Sequence, residues 1–198
     1  MLNQRQQGVT LLELMLGLVL LAILLGMGIP SFTEWMRNTQ NRTAAESVLN
    51  GLQLARNEAV RRNTQVRFNL TDAGGTVAWT VGCVNPTATC LAEIQKRPAA
   101  EGTVQARVGV STAAIPLPTP PGQFASALAA GSGLPAGVTF DGIGRVPSAN
   151  VGTDFTRADI TNATNAGARR YIVLIGVGGQ IRMCDPTLPF ATNPQGCS

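Results

Sequence analysis

Hydrophobic and polar positions change their rhythm twice along this chain, and each change marks a boundary. Residues 8–29 are almost continuously apolar, follow a short polar leader, and hold a single carboxylate, Glu13. At ~1.5 Å per residue, about 20 such residues make a helix that crosses a bilayer's hydrocarbon core. An ionisable group there costs roughly 2.5–3.5 kcal/mol on insertion scales, so Glu13 is expected to have a function. Beyond Pro30 the apolar positions Ala45, Val48, Leu49, Leu52, Ala55, Ala59 and Val60 recur at steps of three and four, opposite Arg42, Glu46, Asn50, Gln53, Asn57 and Arg61. That pattern predicts an amphipathic helix with one buried face. The simplest expectation is one long helix, kinked at Pro30 because proline removes a backbone donor and clashes with the preceding turn. If continuous from Leu11 to Asn63 it would measure about 80 Å.

From Gln65 the period becomes two. Residues 66–70 alternate, residues 72–75 turn, and residues 76–83 read as the returning strand. A second strand-rich block begins at residues 138–140, turns over residues 141–144 and continues through Arg145 and Val146; residues 153–161 form a further expected strand. Residues 171–175 and 180–184 flank Gly176, Val177, Gly178 and Gly179 and predict a hairpin. Residues 113–137, with Pro116, Pro118, Pro120 and Pro121 close together, predict a surface loop. The bare pattern is α+β: a long helix followed by an antiparallel β-domain.

The segment Gly8-Val9-Thr10-Leu11-Leu12-Glu13-Leu14 resembles the class III signal of type IV pilins and of type II secretion pseudopilins. In that family a membrane aspartyl peptidase cuts after the glycine and methylates the new amine. The resemblance implies a cut between Gly8 and Val9, with Val9 replacing the more usual phenylalanine as the methylated residue. It also implies that Glu13 pairs with the N-terminal amine of a neighbouring subunit during assembly; two opposite charges in a low dielectric relieve each other's desolvation cost. A secretory signal is the competing reading, with Gly26-Met27-Gly28 as a poor cleavage site. The apolar run is too long for it, and Glu13 is misplaced in a signal core. Arg5, the only leader charge, favours a cytoplasmic N-terminus.

Downstream, Leu-Gln-Leu-Ala-Arg-Asn-Glu-Ala-Val-Arg-Arg over residues 52–62, the Phe140-Asp141-Gly142-Ile143-Gly144-Arg145 turn and the hairpin over residues 170–182 resemble the GspH/FimT family of minor pilins and pseudopilins. The resemblance implies a type IV pilin-like fold, a long kinked N-terminal helix packed on an antiparallel β-sheet. The expected organisation is a prepilin leader over residues 1–8, a transmembrane and assembly helix over 9–29, the amphipathic half of that helix over 30–63, and a periplasmic β-rich domain over 64–198. The implied partners are the prepilin peptidase and methyltransferase, other minor and major pilins or pseudopilins, the inner-membrane assembly platform, and the lipid bilayer before assembly. The implied place is the bacterial inner membrane, single-pass with the N-terminus cytoplasmic, and then the pilus or pseudopilus.

Composition adds little except through cysteine and histidine. The formal net charge of +4 permits a polyanionic partner without requiring one, and Lys96 is the only lysine among fifteen basic residues. Four cysteines allow three pairings. Sequence locality favours Cys83 with Cys90 and Cys184 with Cys197, and an exported domain meets the oxidising conditions in which such bridges persist. The gaps of six and twelve residues and the absence of any histidine argue against zinc. Without histidine there is no Ser-His-Asp or Cys-His site, and Asp141, Asp154, Asp159 and Asp185 form no recognisable acid pair. Gly176-x-Gly178 lacks the third glycine and the following helix of a dinucleotide site. The expectation is a protein without catalysis, metal or cofactor.

Some members of the GspH/FimT family bind DNA in natural transformation through a Gly-Arg-x-Arg stretch on this hairpin. Here the stretch is Gly179-Gln180-Ile181-Arg182, with one arginine replaced. Arg182, with Arg169 and Arg170 expected to begin the partner strand, leaves three guanidiniums for phosphate, and each lost contact weakens the electrostatic attraction. The sequence reading is therefore a minor pilin that joins and helps prime a type IV pilus. An H-type minor pseudopilin of type II secretion, or a DNA-uptake receptor, stands as the alternative.

Overall fold

The computed structural model describes residues 10–120 and 122–197, with the side chains of residues 27–30 excepted. One helix, α1 (Leu11–Arg62), is followed by eight strands: β1 (Val66–Leu70), β2 (Trp79–Cys83), β3 (Gln95–Arg97), β4 (Ala106–Ser111), β5 (Ala136–Phe140), β6 (Arg157–Asn162), β7 (Tyr171–Ile175) and β8 (Ile181–Cys184). The chain divides into two compact units, Met1–Met36 and Arg37–Ser198.

In the second unit the buried face of α1 consists of Ala44, Ala45, Val48, Leu52, Ala55 and Ala59, all fully buried. The small residues let the helix approach the sheets closely. Gly51 shows how closely: a Cβ there would lie 2.6 Å from the Phe68 ring and 3.1 Å from Trp79. Glycine within a helix costs about 1 kcal/mol relative to alanine. Here it leaves room for two aromatic side chains of the core, whose rings lie 5.7 Å apart. Trp79 also donates its indole N–H to the Ser47 hydroxyl at 2.8 Å, so the polar edge of the ring is satisfied.

The β-domain is two four-stranded antiparallel sheets, ordered β3-β2-β1-β5 and β4-β6-β7-β8. Alternation fixes which face each strand buries. Val66, Phe68 and Leu70 of β1, and Tyr171, Val173 and Ile175 of β7, enter the main core with the helix. The opposite face of β7 is covered too. Ile172 is fully buried with Phe124, Cys184 and Cys197, and Leu174 and Ile115 pack against them. The long loop between β4 and β5 and the C-terminal tail therefore act as a second layer on the second sheet.

Several expectations need correction. Gln95–Arg97 and Ala106–Ser111 are strands beyond those the sequence pattern predicts, and the β-domain has two sheets where one is expected. Yet Ala106, Val108 and Val110 alternate, and all three are buried. Arg145 and Val146 are not strand: the chain turns there, with the Asp141 amide donating to the Arg145 carbonyl at 2.8 Å. The strand expected from residue 153 begins at Arg157, after a short 3-10 turn at Ser148–Asn150. Arg169 and Arg170 precede β7 rather than begin it. Val60 is half exposed, because Ala59 supplies the inward position of the last turn.

Candidate functional site

Over residues 14–25 α1 is apolar around its whole circumference. Leu14, Met15, Leu16, Leu18, Val19, Leu20, Leu21, Ile23, Leu24 and Leu25 are each more than half exposed, so this stretch of the helix has no single apolar face. A helix of that kind needs apolar surroundings on every side. Among the described residues it is the one helix long and apolar enough to cross a membrane. Thr10 starts it: the Thr10 hydroxyl accepts the Glu13 amide at 3.3 Å, and the Thr10 carbonyl accepts the Leu14 amide at 3.1 Å. This is N-terminal capping by a hydroxyl, in a Thr-x-x-Glu frame that suits a capping box. Glu13 occupies the first turn, where the helix dipole favours negative charge. The same residue thus favours helix initiation and offers a carboxylate to a cationic partner. Gly8 and Val9, and the side chain of Pro30, lie outside the described residues.

In the globular unit the hairpin arginines are engaged within the fold. Arg169 Nε donates to Asp185 at 2.5 Å, and its guanidinium sits 5.8 Å from the Tyr171 ring centre. Its backbone is held by α1, donating to Asn38 at 2.7 Å and accepting from the buried Asn41 at 2.9 Å. Burial pushes the Asp185 carboxyl up, but hydrogen bonds from the Thr187 hydroxyl and amide, and from Arg169, outweigh it and hold the group below the usual carboxylate range. Arg170 pairs with Asp159 at 3.0 Å and donates to the carbonyls of Phe124 and Ala125. Arg182 donates to the Cys197 carbonyl at 3.0 Å and lies 4.7 Å from the Phe190 ring centre. Gln180, at the end of the hairpin turn, is exposed. A phosphate contact by any of the three arginines would have to compete with these partners.

The structure joins Cys83 to Cys90 and Cys184 to Cys197. The second bridge closes the tail over β8, where Asp185 and Gly196 also form a parallel bridge. Sequence reasoning missed the most buried charge of the unit. Asp159 is fully buried, held by Arg157 through both carboxylate oxygens at 2.6 and 2.8 Å, by Arg170, and by the Leu128 amide at 3.1 Å. Arg157 also donates to the Ser126 carbonyl at 2.8 Å. This Arg–Asp–Arg cluster pins the loop that carries Phe124. The available signal was Arg157-Ala158-Asp159-Ile160: two charges on one face of a strand whose other face is apolar. Among the described residues no group of three or more His, Cys, Asp or Glu could hold a metal ion.

Two families match the chain. The prokaryotic N-terminal methylation motif covers residues 3–29, and the type II transport protein GspH family covers residues 44–179. No curated protein matches. Among solved structures, the type IV minor pilin FimU of Pseudomonas aeruginosa is 17% identical over 83% of this chain and 99% of that one, with a TM-score of 0.47. A second crystal form of FimU is 18% identical over 79% of this chain and 99% of that one, with a TM-score of 0.42. The minor pseudopilin EpsH from the type 2 secretion system of Vibrio cholerae is 15% identical over 76% of this chain and 99% of that one, with a TM-score of 0.46.

Proposed function

Because the chain belongs to the GspH family of pilin-like proteins, we propose that it is a minor subunit that joins, and helps to prime, a type IV pilus. It is a structural subunit and not an enzyme. The observation that carries the reading is the union, in one chain, of an N-terminal methylation motif over residues 3–29 with a GspH unit over residues 44–179. On this reading residues 1–8 are removed as a leader and Val9 carries the methylated amine. The helix over residues 9–29 then sits in the inner membrane with the globular unit in the periplasm. Pro30 kinks the helix beyond it, and Glu13 pairs with the terminal amine of a neighbour as the filament grows. The partners that follow are the prepilin peptidase and methyltransferase, the other pilins and the membrane platform that extrudes them.

A second reading, as a minor pseudopilin of type II secretion, is favoured by the description of the matched family as a type II transport protein. The two differ in the filament that is built, not in the chemistry of the subunit. One experiment separates both from the alternatives. Filaments sheared from the native cells should contain the chain, with an intact mass corresponding to a start at methylated Val9; a start near Ile29, as a secretory peptidase would leave, removes both readings. A deletion strain that loses twitching but keeps secretion supports the pilus. The reverse supports the pseudopilus.

A further inference from the structure

Three elements of the globular unit meet at one point of its surface. The last turns of α1 bring Arg56 and Val60 against the turn after β5: a Cβ on Gly144 would lie 3.1 Å from both Arg56 Nε and Val60 Cγ2, and Arg56 donates to the Gly144 carbonyl at 3.1 Å. The tip of the β7–β8 hairpin closes on the same place, since a Cβ on Gly179 would lie 1.8 Å from the Gly144 carbonyl oxygen. Both glycines have positive φ, 78° and 81°, so these two close approaches depend on residues without side chains. The Val177 carbonyl accepts the Val146 amide at 3.1 Å and ties the hairpin tip to the turn.

Each of the three elements leaves one large aliphatic side chain in solvent: Val60 is 50% exposed, Ile143 63% and Val177 56%. Two guanidiniums beside them have no ion pair among the described residues. Arg145 is exposed, and its guanidinium has no ion pair or hydrogen bond among the described residues; Arg56 is exposed and uses only its Nε. Of the neighbouring carboxylates, Glu58 pairs with Arg61 and Arg62 at 2.6 and 2.7 Å, whereas Asp141 accepts the backbone amides of Ile143 and Arg145 at 3.1 and 2.9 Å and has no ion pair among the described residues. The contrast with Arg157, Arg169 and Arg170, each held by a buried carboxylate, is plain.

From this arrangement we propose that the junction of Val60, Ile143 and Val177 is a docking surface for a neighbouring protein subunit that presents an apolar side chain flanked by carboxylates. Aliphatic side chains at a centre with spare guanidinium donors beside them fit the anatomy of a protein interface, in which an arginine can take a carboxylate through two parallel bonds. A nucleic acid would satisfy the two arginines and leave three aliphatic side chains in water, so the chemistry favours protein. Only the identity of that partner as a filament subunit rests on the assembly reading above.

The test uses the full chain in its native membrane, with a photoreactive benzoylphenylalanine at Ile143 and, as a distant control, at Leu117, which is 89% exposed. Illumination should link Ile143, and not Leu117, to a protein that also occurs in sheared filaments, at a peptide containing Asp or Glu. The combined Arg56→Glu and Arg145→Glu change should lower the yield about tenfold, because it turns an attractive rim into a repulsive one. Reversing the mapped carboxylate of the partner to lysine should restore it. Non-reducing peptide maps check that both disulfides survive, and Arg145→Glu alone carries the test if the double variant fails that check. An adduct with nucleic acid or lipid, an adduct at a peptide without carboxylates, no adduct, or a yield indifferent to charge reversal would overturn the proposal. If the wild-type chain is absent from filaments yet forms the acid-dependent adduct, the filament reading falls and the docking surface stands. If it is present in filaments without the adduct, the surface falls and the filament reading stands.

Discussion

Asp159→Asn is the substitution whose cost can be worked most directly from the geometry. The carboxylate is fully buried, and the side chains of its two partners, Arg157 and Arg170, are only 12% and 14% exposed. The change leaves two guanidiniums facing a neutral amide that can accept on one side only. Removing one member of a buried ion pair costs about 3–5 kcal/mol, most of it the penalty for charge left without a counterion. The Leu128 amide loses a charged acceptor as well. Against a total stability of about 5–15 kcal/mol for a domain of ordinary size, that is a large fraction.

The loss should be local in origin. Arg157 and Arg170 hold the carbonyls of Ser126, Phe124 and Ala125, so releasing them loosens the loop that buries Phe124. Phe124→Ala alone removes a buried ring and should cost about 3–5 kcal/mol. The double variant should then cost clearly less than the sum, because either change frees the same loop. Urea unfolding of a truncated chain that starts at Arg37 provides the assay, since Trp79 is then its only tryptophan. A cost below about 1 kcal/mol for Asp159→Asn, the range of a solvated pair, would refute the reasoning. So would strict additivity with Phe124→Ala.

Three further outcomes follow from the same structure. Glu13→Ala should leave the chain processed and membrane-resident but reduce its recovery in sheared filaments; equal recovery of mutant and wild type would remove the assembly role. The chain truncated at Arg37 should be soluble and should yield Cys83–Cys90 and Cys184–Cys197 in non-reducing peptide maps, whereas free thiols throughout would refute the pairing. The depressed Asp185 carboxyl contributes stability that is present above its unfolded value near about 4 and is lost as pH falls through the lower folded value. Asp185→Asn should therefore flatten the acid limb of stability against pH, and an unchanged limb would show that the Arg169 pair contributes nothing there.

The parts of this molecule legible in the sequence are those whose physics is local. The apolar run, the three-and-four spacing on α1 and the Gly176–Gly179 turn each declare themselves within one or two turns of chain, and the structure places elements at all three. β4 was legible in principle, since Ala106, Val108 and Val110 alternate, but it follows a turn-rich stretch and has two glycines close by, one of them inside it. Gly109 belongs there because a Cβ would lie 2.2 Å from the Ala129 carbonyl oxygen, a contact from a distant loop. No local pattern encodes that approach. The arginines make the same point more sharply. Their spacing around the hairpin reads equally well as a patch for phosphate or as structural charge, because a guanidinium's role depends on which acid the fold carries to it. Asp159 lies 11 residues from Arg170 and Asp185 lies 16 from Arg169. Only strand pairing decides that those carboxylates meet those arginines, and it brings no carboxylate into an ion pair with Arg145, which is left facing solvent. The residues free to meet a partner are thus the ones that folding has failed to neutralise, and tertiary structure is where that remainder becomes visible.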